Sequence, residues 1–435
     1  MISRTAACAV TAFLLVAVAA PAFSQPVDGP HVRPDGHVAL AWLHGGSSDD
    51  HRAQVDAMPG VTVVAPTWFG LDGLDLGAVT GVGDPAFVAW AAQRGIAVWP
   101  QLGNRLDADL SEAVLSDAGR RARLVAEAAA AVERTGAGGI VVGFENLREA
   151  TGPALTAFVG ALRTALPGRV VAVTVAALSD TWSRGEWSAA YERRALGEVA
   201  DYVVLAALDE HHDGRPDGPV AGLEWTLEVV EHLLRSVPDR KVLLAVPLYV
   251  RDWVVDARAP GGVALHATRG MDAMATHLDE VAATHTYDPV AGQRRYTYSD
   301  AVGRAHRVWQ EDPPSLGRRV ALATRYNLGG VAVWRGGLAG PHAWVAVSSA
   351  LAADPRPAGA ASGPPRLNRL VPAPRFADPP PQAAAGETQR PLDPARPQPA
   401  GTSWPAPVLA VVLLAAVTAG LVARIRLRGP GAPRA

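Results

Sequence analysis

Cysteine is almost absent from this chain: Cys8 is the single one among 435 residues. It lies inside an N-terminal apolar segment, too early for a lipid-attachment site, so neither a disulfide framework nor thiol chemistry is open to the remainder. Lysine is nearly missing too, with Lys241 alone among 40 basic residues. A formal net charge of -2 leaves no basic footprint, which excludes nucleic acid as a partner on electrostatic grounds. No G-x-G-x-x-G run follows a β-like segment, so a dinucleotide cofactor is not expected. The ligand-rich run from Asp209 to Asp213 lacks the i, i+4 histidine spacing of a helical metal site. It is read as a loop or a substrate contact, with no metal and no cofactor expected.

Both ends carry strong signals. Residues 1–24 have a basic start at Arg4, an apolar run from Ala6 to Ala20 and small residues at Ala20, Ala22 and Ser24, the layout of a secretory signal peptide. Residues 354–404 begin a stretch, Pro355 to Pro407, that holds 15 of the 36 prolines, interleaved with Ala, Gly, Arg and Gln. Such a composition buries too little apolar surface to fold and predicts a semi-extended linker, reaching on the order of 100 Å at roughly 3 Å per residue. Residues 405–424 are an apolar run long enough to cross a bilayer, with Trp404 before it and Arg424, Arg426 and Arg428 at its end. The arginines predict a cytoplasmic tail, residues 425–435, and the expected arrangement is a single-pass cell-membrane protein with its folded domain outside.

Between these ends, within residues 25–353, β-like and helical runs alternate. Strands are expected at Val38–Leu43, Val61–Pro66, Gly95–Pro100, Gly139–Glu145, Arg169–Ala176, Asp201–Ala207, Lys241–Leu248 and Gly329–Trp334. Helical patterns such as Pro85–Arg94, Asp117–Thr135, Pro153–Leu166, Leu223–Ser236 and Ser315–Tyr326 separate them. Eight βα units in one domain point to an α/β fold, a closed (β/α)8 TIM barrel. Residues 254–313 interrupt the alternation with short alternating runs around Gly-containing turns, which predicts a small β-hairpin insertion between strands 7 and 8.

Chemistry in such a barrel sits where the strands end. Glu145 ends the fourth strand and is the candidate acid, and around it stand Trp68, Asn104, Asn146, Asp209, Tyr249, Trp253 and Trp334 as candidate substrate-binding residues. Tryptophans ringed about a carboxylate suit a sugar, whose C–H faces stack on indole.

The run Val141-Val142-Gly143-Phe144-Glu145-Asn146 resembles the strand-four signature of family 18 glycoside hydrolases, D-x-x-D-x-D-x-E, in the branch of spore-cortex-lytic N-acetylglucosaminidases. Pro66 to Phe69, Val204 to His211, Pro247 to Tyr249 with Asp252-Trp253, Tyr287 to Pro289 and Gly330 to Trp334 carry the same likeness. The resemblance implies a retaining, substrate-assisted mechanism on β-1,4-linked N-acetylglucosamine-containing glycans, a cell-wall or chitin-like polysaccharide being the partner. In it the substrate's 2-acetamido oxygen attacks the anomeric carbon while Glu145 protonates the leaving oxygen and Trp334 floors the subsite.

Two positions depart from the pattern. Gly143 stands where the family has the aspartate that holds the acetamido N–H, and Leu208 where it has the tyrosine that bonds the attacking oxygen. The first change removes a carboxylate beside Glu145, so the acid is expected to have a less raised pKa and to be a poorer proton donor near neutrality. A hydrolase with a rearranged site and a glycan-binding protein without turnover both follow from the sequence, and the pair Gly143→Asp with Leu208→Tyr is the change expected to restore activity.

Overall fold

The computed structural model describes residues 36–353. The expected leader (1–24), linker (354–404), membrane span (405–424) and tail (425–435) lie outside the described residues. No helix among the described residues is long and apolar enough to cross a membrane.

Eight parallel strands form the barrel wall: Val38–Leu43, Val63–Pro66, Ala97–Val98 continued by Gln101–Gly103, Gly139–Gly143, Val170–Ala176, Tyr202–Ala206, Val242–Pro247 and Gly330–Trp334. The last pairs with the first, Val38 opposite Gly330. The third strand is broken at Pro100, which has no N–H to give the ladder. Closure survives the break, because Trp99 N–H donates to Val64 O at 2.9 Å on one side and Val141 N–H to Pro100 O at 3.0 Å on the other. Helices such as Pro85–Ala92, Ala118–Thr135, Gly152–Ala165, Leu223–Leu234 and Pro313–Arg325 cover the outside. With both faces buried, the strands read as continuous Val, Leu and Ala runs.

The pleat sorts those runs into two cores. Ala39, Ala41, Leu43, Ile140 and Val142 face outward into the helix layer. Val38, Leu40, Val141, Val170, Val204 and Leu243 fill the lower interior, with Trp99 stacked on Tyr202 at 5.7 Å. Further up the strands the same inward face carries small side chains at Gly103, Gly143, Thr174 and Ala206. A (β/α)8 interior is ordinarily filled by bulky layers. Here the upper layer is too small to fill it, and an open cavity remains above the packed floor.

The interruption between the seventh and eighth strands is larger than a hairpin. Tyr249–Val255, Val263–Gly270, Thr284–Asp288, Gln293–Ser299 and Ala305–Gln310 form a five-stranded antiparallel sheet with the helix Met271–Glu280. The short alternating runs visible in the sequence fall on its last three strands, which pair as two successive hairpins instead of one. The first strand of the sheet is missed by sequence reasoning because it follows the seventh barrel strand with Leu248 alone between them.

Candidate active site

Glu145 sits at the base of a cavity of about 730 Å³ at the C-terminal mouth of the barrel. Val141, Gly143 and Glu145 alternate on the inward face of the fourth strand and its extension, so the carboxyl enters the barrel axis. Two contacts fix its backbone. Asn104, 1% exposed, donates through Nδ2 to Glu145 O at 2.6 Å and accepts from Glu145 N–H at 3.0 Å. Tyr191 OH donates to the preceding carbonyl, Phe144 O, at 2.8 Å. Both hold the backbone at Glu145 in place, and Asn104 acts as a positioning residue.

Of the eight residues singled out from sequence, Glu145, Trp68, Asn104, Asp209, Tyr249 and Trp334 line this one cavity. Asn146 does not: it turns through a left-handed backbone (φ 55°) and its Nδ2 donates to Leu106 O at 2.8 Å. Trp253, 1% exposed, packs inside the insertion sheet with Ala291 and Trp309, and its Nε1–H donates to Gly218 O at 2.9 Å. Asp252 beside it is wholly buried, accepting from Tyr298 OH at 2.6 Å and meeting His306 Nδ1 at 2.8 Å. His266 joins these two within 4.8 Å as a group of metal-ligand type, though both Asp252 oxygens are already engaged. Of the acidic run at 209–213, Asp209 alone lines the cavity, while Glu210 accepts from Gly222 N–H at 2.6 Å as a loop contact.

Asp209 is tied at three points. Its Oδ1 accepts from Tyr249 OH and from Arg251 Nη2–H at 2.7 Å, and its Oδ2 lies 3.9 Å from Arg184 Nη1. Its backbone is left-handed (φ 65°), a conformation that Asp tolerates better than most residues. Burial and the Asp209 charge raise the Tyr249 phenol well above its ordinary value, so it stays a hydrogen-bond donor.

The acid itself departs from the sequence expectation. Glu145 is pushed up to about 7, first by burial and second by the negative charge of Asp209, with Arg184 opposing. Solvent reaches it only through the cavity, and the enclosing barrel, more than any one neighbour, supplies the shift. Losing an aspartate at Gly143 therefore does not leave a weakened acid, because desolvation is the leading cause. Asp209→Asn is expected to move the alkaline limb of a kcat/KM profile, set by protonated Glu145, to lower pH; an unmoved limb would mean that the Asp209 charge does not reach the acid.

Among the cavity residues that sequence reasoning missed are Gln101, Arg184 and Trp187. Gln101 was hidden by Pro100, taken as the strand end, although Trp99, Gln101 and Gly103 continue the inward alternation. A Cβ built on Gly143 would lie 2.8 Å from Gln101 Cδ and Nε2 and 3.1 Å from Cγ, so this side chain occupies the space an aspartate would need. Its amide makes no hydrogen bond. Arg184 comes from the loop after the fifth strand and Trp187 from the short helix Glu186–Ala189 that follows it, where no strand-end rule reaches.

A conserved-family model, glycosyl hydrolases family 18, matches residues 84–338. The chain belongs to family 18. This family 18 chain is 31% identical over 222 residues to the putative sporulation-specific glycosylase YdhD of Bacillus subtilis (strain 168), covering 51% of this chain and 52% of that protein. It is 29% identical over 242 residues to the cortical fragment-lytic enzyme of the same strain, covering 55% and 56%. The chain spans about half the length of these curated relatives. Its fold matches a chitinase from Chromobacterium violaceum ATCC 12472 at a TM-score of 0.66 and 26% identity, over 73% of this chain and 99% of that one.

Proposed function

We propose that the chain is a retaining, substrate-assisted glycosidase on β-1,4-linked N-acetylglucosamine-containing glycans of the peptidoglycan or chitin class. The observation that carries this reading is Glu145, held by Asn104 at the base of a sugar-sized aromatic cavity and half protonated near neutrality. An acid at about 7 donates a proton most effectively at the pH where cells live. Trp334 and Trp68 give it apolar walls, with Trp334 edge-on to Trp42 at 5.5 Å.

In the proposed reaction the acetamido carbonyl oxygen attacks the anomeric carbon as Glu145 gives its proton to the leaving oxygen, and the carboxylate so formed then takes a proton from water that opens the cyclic intermediate. The acetamido N–H needs an acceptor, and the unbonded amide of Gln101, lying where the family's aspartate would be, supplies a carbonyl for it. An amide carries no charge, so it orients the nucleophile without fully stabilising the developing positive charge. Loss of one preorganised electrostatic group costs on the order of 100 to 1000-fold in rate, and slow turnover is expected.

The second reading, a glycan-binding protein without turnover, is favoured by Gly143 and Leu208 alone. Release of reducing ends from N-acetylglucosamine oligomers, together with co-sedimentation on insoluble peptidoglycan and chitin, separates the two. Turnover supports the first, binding without turnover the second, and neither binding nor turnover overturns both.

Cell-surface display remains part of the proposal, supported by the apolar leader of residues 1–24 and the apolar run with flanking arginines at 405–424.

A further inference from the structure

The charges facing the cavity do not cancel. Its lining includes two carboxylates, Glu145 and Asp209, and two guanidinium groups, Arg105 and Arg184. A third guanidinium, Arg251, already satisfies Asp209 from outside the lining at 2.7 Å. Acid catalysis needs Glu145 protonated and therefore neutral. In that state Asp209 and Arg251 form a neutral pair, and Arg184 has no counter-charge of its own.

Arg184 is placed as a receptor. Its Cζ stacks 3.9 Å from the Trp187 ring centroid, which fixes the plane of the guanidinium. The nearest carboxylate oxygen is Asp209 Oδ2 at 3.9 Å, too far for a hydrogen bond, and the guanidinium N–H groups donate none. The side chain is 20% exposed. A largely buried guanidinium with five unused donors is costly unless an anion arrives, and its planar fork matches a carboxylate in bidentate geometry. Burial lowers its pKa from the ordinary value, the physical mark of a cation short of compensation.

We propose that Arg184, seated on Trp187, receives a carboxylate carried by the glycan, so that the preferred substrate is an acidic amino-sugar polymer and not a neutral one. This inference rests on the glycosidase reading and narrows its substrate class. A sugar carboxylate comes from two chemical sources, an ether-linked lactyl group or a uronic acid, and both present the same planar anion. A neutral N-acetylglucosamine polymer offers Arg184 only hydroxyl and amide acceptors.

The test is isothermal titration of the full chain with three tetrasaccharides: N-acetylglucosamine alone, N-acetylglucosamine alternating with its lactyl ether, and N-acetylglucosamine alternating with a uronic acid. One or both acidic ligands are expected to bind at least tenfold tighter than the neutral one, and the tighter of the two identifies the source. Arg184→Gln should bring that ratio to about one, Arg184→Lys should restore part of it, and 0.5 M salt should shrink it. Equal affinity for acidic and neutral ligands in the parent chain, or a ratio unchanged in Arg184→Gln, overturns the inference while leaving the glycosidase reading in place. Failure of all three ligands to bind overturns the glycan-site reading and this inference with it. Thermal melts of each variant identify misfolding, and because the readout is a ratio within one variant, partial unfolding cannot imitate the loss.

Discussion

Glu145→Gln is expected to lower release of reducing ends from N-acetylglucosamine oligomers by on the order of 1000-fold while leaving the cavity shape intact. A sugar alkoxide is a poor leaving group, and a positioned acid contributes typically 100 to 10,000-fold to its departure. The loss should be far smaller with an aryl glycoside, whose phenolate departs without a proton. The same variant has a stability signature. Folded Glu145 titrates at about 7 against an ordinary value of 4.5, so the folded state holds the proton more tightly than the unfolded chain. Stability from this group is full below pH 4.5 and falls as pH rises to about 7, costing at most about 3 kcal/mol above that. Glu145→Gln should therefore melt higher than the parent at pH 8 and close to it at pH 4. An enzyme that loses turnover and gains stability at pH 8 is the expected outcome; equal turnover in parent and variant would remove Glu145 from the reaction.

Much of this site was legible because a barrel imposes a simple code. Once eight buried strands are counted, the residues at and just past each strand end must border the mouth, and Glu145, Asp209 and Trp334 follow from that rule. Tyr249 was legible for the same reason, although its partner was not: that its phenol and Arg251 converge on Asp209 depends on the loop geometry at a left-handed residue. Trp253 shows where the code stops. It follows the seventh strand, yet the chain there has already entered the antiparallel sheet, whose pleat turns the indole into its own core. Asn146 was drawn in by sequence adjacency to Glu145, whereas the left-handed turn between strand and helix sends its side chain back to Leu106. The pKa of Glu145 was misjudged because a missing neighbour is visible in sequence and enclosure is not. Asp209, distant in the chain, supplies part of the shift, and burial by the whole barrel supplies more.

Restoring the missing aspartate is expected to require two changes at one place. Sequence reasoning points to Gly143→Asp with Leu208→Tyr, but the structure shows the space beside Gly143 occupied. A Cβ there meets the Gln101 amide at 2.8 Å, closer than packed carbon atoms come, so an aspartate either displaces Gln101 or is itself turned off its productive rotamer. Gln101 is unbonded at its tip and can swing, which makes the substitution tolerable for folding and unfavourable for catalysis. Gly143→Asp alone, with or without Leu208→Tyr, should leave kcat unchanged or lower. Gly143→Asp combined with Gln101→Ser clears the space and should raise kcat by on the order of 100-fold, the worth of one preorganised charge at the developing oxazolinium ion. Gln101→Ala alone should reduce kcat about tenfold on acetamido substrates, since it removes the acceptor for the N–H, with little change in binding to the aromatic walls. If Gln101→Ala keeps full kcat, the amide is a space filler; if Gly143→Asp alone already restores activity, Gln101 yields without cost and the two residues are not coupled. The coupling itself is measurable as the departure of the double variant from the sum of the single ones, and residues whose atoms compete for one volume should show it strongly.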